Sequence, residues 1–178
     1  MGMTEPPHKQ GAASDPKTAA QAEMLANRLQ KRYKHLGKWA RRIGADAFRL
    51  YDRDIPEIPL VLDIYGDAVA GALYERPYEK DPDEEDRWLK AMTGAVSGAL
   101  NIPRERIFLK QRGRQRGKAQ YKRLRDNQGF HEDVREGGLR FRVNLSDYLD
   151  TGLFLNHRKT RSLVREEARG KRVLNLFC

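Results

Sequence analysis

The sequence has little cysteine and few apolar residues. Its single cysteine is Cys178, which excludes an internal disulfide and a cysteine-based metal site. Apolar residues make up 39% of the 178 residues and charged residues 34%, which is a small apolar share for an independent globule. No stretch approaches the roughly 18 apolar residues that a membrane span needs, and the N-terminus lacks the apolar centre of a secretory signal. We therefore expect a cytoplasmic protein without a membrane segment.

Acidic residues are few relative to basic ones. The chain has 35 lysines and arginines against 25 acidic residues, which gives a formal net charge of +10 at pH 7. Such an excess favours a polyanionic partner, with nucleic acid ahead of an anionic membrane, although a solvated basic surface is the alternative. No set of residues at metal-ligand spacing occurs, and neither do the motifs GxSxG, P-loop or HExxH. We expect no bound metal, and no catalytic residue is assigned within this chain.

The N-terminal part predicts a leader and then a basic helix. Residues 1–18 are rich in Pro, Gly, Ser, Thr and Ala, which is typical of a disordered leader or linker. Residues 19–44 predict a helix that ends at Gly44, because apolar residues recur every three or four positions. These positions are Leu25, Leu29, Tyr33, Leu36, Trp39 and Ile43.

The rest of this helix is basic and has no acidic residue between Arg28 and Arg42. Mixed charges would be the usual pattern for solubility alone, so the pattern favours phosphate contact, with a solvated face as the alternative. The residues predicted to bind RNA here are Arg28, Lys31, Arg32, Lys38, Arg41 and Arg42.

The middle of the chain, residues 45–146, predicts a compact α+β domain. Strand patterns are present in AFRLYD, PLVLDIY, DAVAGALYE, RIFLKQ and FHEDVREGGLRFRVNL. The YGD sequence between the second and third strands, and Gly137-Gly138 within the last segment, have the residues of hairpin turns. A helix lies between the third and fourth strands, with acids at its start and Asn101 and Pro103 at its end.

A second basic segment runs from Arg104 to Arg125, with ten basic residues and one acid. Its centre places glycines between arginines, so the backbone can approach a phosphate chain and the guanidinium groups can contact phosphates or bases. RNA contact is the prediction, and a mobile solvated loop is the alternative. The predicted contact residues are Arg112, Arg114, Arg116, Lys118 and Tyr121.

The segment NLSDYLDTGLFLNHRKTR has two interpretations. In the first it is a strand-to-helix connection in which Asn156 caps a helix. In the second it is the wall of a cleft, where a helix N-terminus with Arg158 and Arg161 suits a carboxylate and where Tyr148 and Phe154 pack against an aromatic ring. A helix is predicted from His157 to Gly170.

The chain ends on the apolar run VLNLFC, which predicts a final strand over residues 171–177. A buried strand of this kind usually continues into a loop and a helix. We therefore expect an unpaired, aggregation-prone strand at this end.

Five segments in this order resemble the K half of the bacterial bifunctional large-subunit rRNA methyltransferase family K/L. They are ANRLQKRYKHLGKWARR, FRLYDRDIPEIPLVLDIYGD, IFLKQRGRQRGKAQY, LSDYLDTGLFLNHRKTR and VLNLFC. The resemblance covers about residues 23–178, and its most specific parts are RLYDRDIPE, DYLDTGLFLNHR and LNLFC.

The resemblance implies a class I S-adenosylmethionine-dependent enzyme that methylates N7 of a guanine in 23S rRNA or a large-subunit precursor. It implies an α+β fold in three parts: the basic helix, a strand-strand-helix-strand-strand RNA-binding domain, and the first helix and strand of a truncated Rossmann-like domain over residues 147–178. The resemblance places the cofactor beside Tyr148, Thr151, Phe154, Asn156, Arg158 and Asn175. The family usually has Asp where this chain has Asn156. The glycine loop and the base pocket of the family have no counterpart here, so the chain alone is expected to be inactive.

Two alternatives to this function stay open. In the first alternative, the chain is a stand-alone RNA-binding, ribosome-associated module. In the second, it is part of an rRNA cytosine-C5 methyltransferase, a family that shares the middle domain and a similar Thr-Gly turn. A stand-alone module would end its last strand with polar residues, whereas this chain ends on an apolar run. The long basic N-terminal helix, in place of a small RNA-binding barrel, argues against the cytosine-C5 enzyme.

Overall fold

The computed structural model describes residues 15–74, 81–112, 129–174 and 176. Within these ranges the helices are α1 (Pro16–Arg42), α2 (Pro82–Leu100) and α3 (Arg158–Glu167). The strands are β1 (Ala47–Asp52), β2 (Leu60–Tyr65), β3 (Ala68–Tyr74), β4 (Ile107–Arg112), β5 (His131–Glu136) and β6 (Leu139–Asn144). Single 3-10 turns precede β4 (Arg104–Arg106) and α3 (Leu155–His157).

The first four strands form one sheet in the order β1-β2-β3-β4. The pairs β1–β2 and β2–β3 are antiparallel, and β2 and β3 are joined by a two-residue turn in which Gly66 has a φ of +59°. β3 and β4 are parallel, and α2 supplies the crossover that a parallel pair requires. β5 and β6 form a separate antiparallel ribbon, and an isolated bridge between Ala45 and Glu136 joins it to the start of β1.

One face of the sheet packs against α1 and α2 and forms the main core. Because alternate residues of a strand face the same side, Leu60, Leu62 and Ile64 of β2 all point into this core. The two helices are tied together by a buried hydrogen bond in which Trp88 Nε1 donates to Gln21 Oε1 at 2.7 Å. Each polar group thereby satisfies the other, so neither imposes a desolvation penalty on the helix interface.

The sequence RLYDRDIPE builds a closed loop between β1 and β2. The Tyr51 side chain is fully buried, and its hydroxyl donates to the Ile58 carbonyl at 3.0 Å and accepts the Ile55 N–H at 3.1 Å. Burial raises the pKa of Tyr51 to about 12. The strand pairing shifts by one residue between Arg49 and Tyr51, which turns Tyr51 into the core. The motif therefore has a structural role.

The second face of the sheet is only partly covered. A smaller core forms where the β5–β6 ribbon and the following segment pack on it, and it includes Tyr65, Ala68, Val134, Val143, Leu145 and Leu153. The remainder of this face is open and forms the floor of a cleft. None of the helices in the described ranges is long and apolar enough to cross a membrane.

The predicted helices and the strands up to residue 146 are present, with corrections at their ends. α1 begins at Pro16 rather than at residue 19, because the Asp15 side chain caps it and proline fits the first helical turn. Residues 1–14 of the predicted leader lie outside the described ranges. Asn156 does not cap α3: it lies in a 3-10 turn, and the N-cap is His157 without a side-chain hydrogen bond.

The strand arrangement differs from the one that the resemblance implies. Three strands precede α2, and β4 alone joins their sheet after it, whereas two strands on each side of the helix were expected. β4 pairs with β3 and ends the sheet, whereas β5 and β6 pair with each other in the separate ribbon.

The predicted final strand is absent from the described part of residues 171–177. Residues 172–174 and 176 have no regular structure there, because no neighbouring strand within the described ranges offers them hydrogen-bonding groups. Val173, Leu174 and Leu176 are 65%, 79% and 85% exposed.

Candidate functional site

A cleft of about 680 Å³ lies on the open face of the sheet. Its floor consists of residues whose side chains alternate with those of the main core, including Arg49, Asp63 and Lys110. One wall is the C-terminal half of α1, which contributes Trp39, and the other is the segment 149–156 together with Arg158. The cleft therefore joins the basic helix to the segment that was predicted to line a cofactor.

The cleft wall before α3 is fixed to the sheet. The hydroxyl groups of Tyr65 and Thr151 share a hydrogen bond of 2.9 Å, and the Lys110 ammonium donates to the Tyr148 carbonyl. Gly152 follows with a φ of +86°, a conformation that favours glycine. The Thr-Gly turn is thus held in one place by contacts from β2 and β4.

A buried carboxylate, Glu136, fixes α3 against the ribbon. Its oxygens accept hydrogen bonds from Arg158 Nε at 3.1 Å and from Arg161 Nε and Nη2 at 2.8 and 2.9 Å. Desolvation by itself would raise the pKa of Glu136, but the hydrogen bonds from Arg161 and Arg158 outweigh it and hold the pKa below its ordinary value. The carboxylate that the two arginines were predicted to bind is thus supplied by the chain itself.

The structure brings most of the predicted cofactor residues to the cleft. Those that line it are Thr151, Phe154, Asn156 and Arg158. The Tyr148 carbonyl contacts Lys110, while its ring is half-exposed, and Asn175 lies outside the described ranges.

Only two of these residues present groups that fit an adenosyl cofactor. The Phe154 ring is 58% exposed, and the Asn156 side chain is exposed at the cleft edge. The Thr151 hydroxyl is engaged by Tyr65, and Arg158 is engaged by Glu136 and by the Ala47 carbonyl. Among the described residues, Phe154 and Asn156 are thus the candidates for contact with such a cofactor.

Three charged residues on the cleft floor were not predicted. Arg49 binds Asp63 through two hydrogen bonds of 2.9 and 3.2 Å. Burial lowers the pKa of Lys110 to about 8, although Asp150 and Asp147 nearby favour its charged form. A signal was present in the sequence, since Asp63 interrupts the apolar strand PLVLDIY at a position where a buried strand would carry an apolar residue.

The basic residues of α1 divide into two groups. Arg28 and Arg32 contact Asp54 at 2.8 and 3.2 Å, so they attach the helix to the loop between β1 and β2. The other predicted residues are exposed and have no ion pair within the described ranges; they are Lys31, Lys38, Arg41 and Arg42. The exposed group forms the outer face of α1.

The second basic segment lies mostly outside the described ranges. Arg112 ends β4, and residues 113–128, which include Arg114, Arg116, Lys118 and Tyr121, are not described. No group of three or more His, Cys, Asp or Glu residues that would hold a metal ion occurs in the described part of the chain.

A model of the S-adenosylmethionine-dependent methyltransferase family matches residues 51–178, and the chain belongs to this family. Among its curated relatives are proteins named Ribosomal RNA large subunit methyltransferase K/L. The protein of this name from Stutzerimonas stutzeri is 47% identical over 177 residues, which are 99% of this chain and 24% of that protein. The corresponding protein from Pseudomonas fluorescens is 49% identical over 156 residues, which are 88% of this chain and 21% of that protein.

These matches confirm the resemblance to the K/L family. The chain spans about a quarter of the length of the curated relatives, at 24% of the protein from Stutzerimonas stutzeri and 24% of that from Pseudomonas entomophila.

Two solved structures share the fold. One is a Streptococcus mutans protein named "a putative sam-dependent methyltransferase", with a TM-score of 0.53 and 17% identity over 80% of this chain and 35% of that chain. The other, named "a putative methyltransferase" and crystallised with SAH, has a TM-score of 0.52 and 18% identity over the same shares. At these identities the likeness concerns the fold alone, and it supports a mixed α and β architecture.

Proposed function

We propose that this chain is the part of a large-subunit rRNA methyltransferase that binds RNA and forms one wall of the S-adenosylmethionine site. The observation that carries the proposal is the cleft, which lies between the C-terminal half of α1 and the wall containing Thr151, Phe154 and Asn156. The family membership and the name of the relatives support the reaction class. We place the protein in the cytoplasm, because its proposed substrate is bacterial 23S rRNA or its precursor.

The proposed target atom is N7 of a guanine. S-adenosylmethionine, when bound, supplies a methyl group on a positively charged sulfur. Guanine N7 already carries a lone pair in the plane of the ring, so no proton has to be removed before attack. The protein must therefore position the base and exclude water rather than supply a general base. A Phe154 ring at the cleft edge can pack against the adenine, and the Asn156 amide can hydrogen-bond to the cofactor.

We propose that the RNA-binding part and the catalytic part of the chain meet at about residue 146. Residues 45–146, together with α1, bind the RNA, and residues from 147 onward begin the catalytic domain. Phosphate contact by the outer face of α1 is supported by exposed cations that have no acidic partner within the described ranges. Arg28 and Arg32 fall outside this set, because Asp54 engages both.

Binding of the chain to a 23S rRNA fragment should fall steeply with salt. Four phosphate contacts through α1 would each contribute about −0.7 to the slope of log K against log salt, so the slope should be about −3 or steeper. Filter binding of residues 1–178 over a range of about 50 to 200 mM salt measures it. Binding that is absent, or that does not depend on salt, would contradict the proposal.

We expect residues 1–178 alone to transfer no methyl group to 23S rRNA. The proposed cofactor wall lies on one side of the described cleft, and the chain spans 24% of a K/L relative. Incubation with radiolabelled S-adenosylmethionine and unmodified 23S rRNA, followed by scintillation counting of the RNA, measures transfer. A full-length K/L enzyme is the positive control, and cofactor-dependent label above background with the chain alone would refute the expectation.

A further inference from the structure

We propose that the floor of the cleft binds one unpaired nucleotide of an RNA strand, whose base stacks on the guanidinium plane of Arg49. This inference rests on the proposed function, since it deepens the substrate contact of the same cleft. It assigns a ligand to residues of β1, β2 and β3 that the cofactor wall does not use.

Arg49 is held flat by two carboxylates. Its Nε and Nη2 donate to Asp63 at 2.9 and 3.2 Å, and its Nη1 donates to Asp52 at 3.2 Å. These bonds occupy the edge of the guanidinium group, and the hydrogen bonds with Asp63 raise the pKa of Arg49, so the group stays charged. The side chain is nevertheless 46% exposed. What remains available to a ligand is the face of a fixed cationic plane, and RNA-binding proteins stack unpaired bases on such planes.

The surroundings of Arg49 leave room for a flat ring. Ala70 and Ala72 line the floor with small side chains. The cleft volume of about 680 Å³ falls in the usual range of ligand sites, roughly 300–1,000 Å³. Stacking on a cationic plane tolerates any base, which suits contact with single-stranded RNA.

The charges of the cleft are largely paired within the chain. Arg49 is held by Asp63 and Asp52, Arg32 contacts Asp54, and Arg158 contacts Glu136. A base that stacks on the face of the Arg49 guanidinium group therefore fits the cleft better than a polyphosphate chain, which would need unpaired cations.

The two tryptophans of the chain allow a direct test. Trp39 lines the cleft, whereas Trp88 is buried between the helices with 1% exposure, so their indole N–H resonances report on the cleft and on the core separately. A single-stranded RNA octamer added to the ¹⁵N-labelled chain should shift the Trp39 resonance and leave that of Trp88 in place. SAH is titrated in parallel, because the cofactor is the other candidate occupant.

Arg49→Lys keeps the charge and the Asp63 partner but removes the plane, so it should weaken octamer binding about 5- to 100-fold and abolish the Trp39 shift. Arg140→Lys, on the exposed part of β6, is the matched control and should bind like the unmodified chain. Thermal melts of both variants show whether the fold is kept. A second variant, Ala72→Leu, fills the floor at a half-buried position and should have the same effect as Arg49→Lys.

Three results would overturn the inference. If the octamer binds with the expected salt dependence while Trp39 does not shift, the cleft site is wrong and the proposed RNA function stands. If SAH shifts Trp39 and Arg49→Lys removes that shift, the floor belongs to the cofactor. If no RNA binds under any condition, both the cleft site and the proposed RNA function fail.

Discussion

Replacing Glu136 by glutamine is expected to lower the free energy of unfolding by about 3 kcal/mol, which is a large part of the stability of a domain of this size. Glu136 is 7% exposed and accepts hydrogen bonds from Arg158 and Arg161. Glutamine has nearly the same shape but no charge, so the two guanidinium groups would be left in a partly buried site without their counter-ion. Arg158 also packs over the Trp39 ring at 5.2 Å, so the cleft wall should loosen together with α3.

Urea denaturation followed by circular dichroism measures this loss, and Asp133→Asn is the matched control. Asp133 lies on the same strand and pairs with Arg142, but both groups are exposed, so this change should have almost no effect. Equal destabilisation by the two variants would show that Glu136 has no special role.

The same interaction sets a direction for pH dependence. The pKa of Glu136 lies below its ordinary value of 4.5, so the ionised carboxylate stabilises the fold fully above pH 4.5. This stabilisation is lost as the pH falls through the lowered pKa. The Glu136→Gln variant should therefore lose less stability than the unmodified chain over this acidic range.

The second large effect concerns RNA affinity. Changing Lys31, Lys38 and Arg42 together to alanine is expected to weaken binding to a 23S rRNA fragment on the order of 10- to 100-fold at low salt. The slope of log K against log salt should become shallower by about 2, since three contacts of about 0.7 each are removed. The melting temperature should not change, because these side chains are exposed and have no ion pair within the described ranges.

Arg28→Ala is the control, because it should change stability and not RNA binding. Arg28 contacts Asp54 at 2.8 Å, so its loss should lower the melting temperature slightly while the salt slope stays the same. Filter binding and thermal melts of both variants separate the two roles. RNA affinity that is unchanged in the triple variant would move the RNA site away from α1.

The elements that the sequence predicted well are those with a local pattern. The prediction places a strand over AFRLYD, which is the extent of β1 in the structure, because this short run carries the apolar and aromatic residues typical of a strand. α2 ends at Asn101 in a left-handed conformation, as its turn chemistry indicates. The pairing of β3 with β4 and the absence of a strand at residues 172–174 depend on neighbours that no local pattern specifies.

The site was predictable only in part, for the same reason. The residue pattern predicts Phe154 in a cleft wall and the resemblance adds Thr151, and the structure places both at the cleft. Arg49, Asp63 and Glu136 come from three separate strands, and only the folded sheet and ribbon bring their charges together with the cleft and α3. In the sequence each is one charged residue within a strand pattern, and its partner is a distant residue that periodicity does not identify.

The hydrogen bond between Trp88 and Gln21 has a consequence for folding during synthesis. The two residues are 67 positions apart in the chain. At about 5–20 residues per second, a ribosome adds the second residue roughly 3–13 s after the first. Throughout that interval the apolar stripe of α1 has no second helix to cover it. The nascent chain must therefore carry an amphipathic, strongly basic helix for seconds before α2 arrives to close the core.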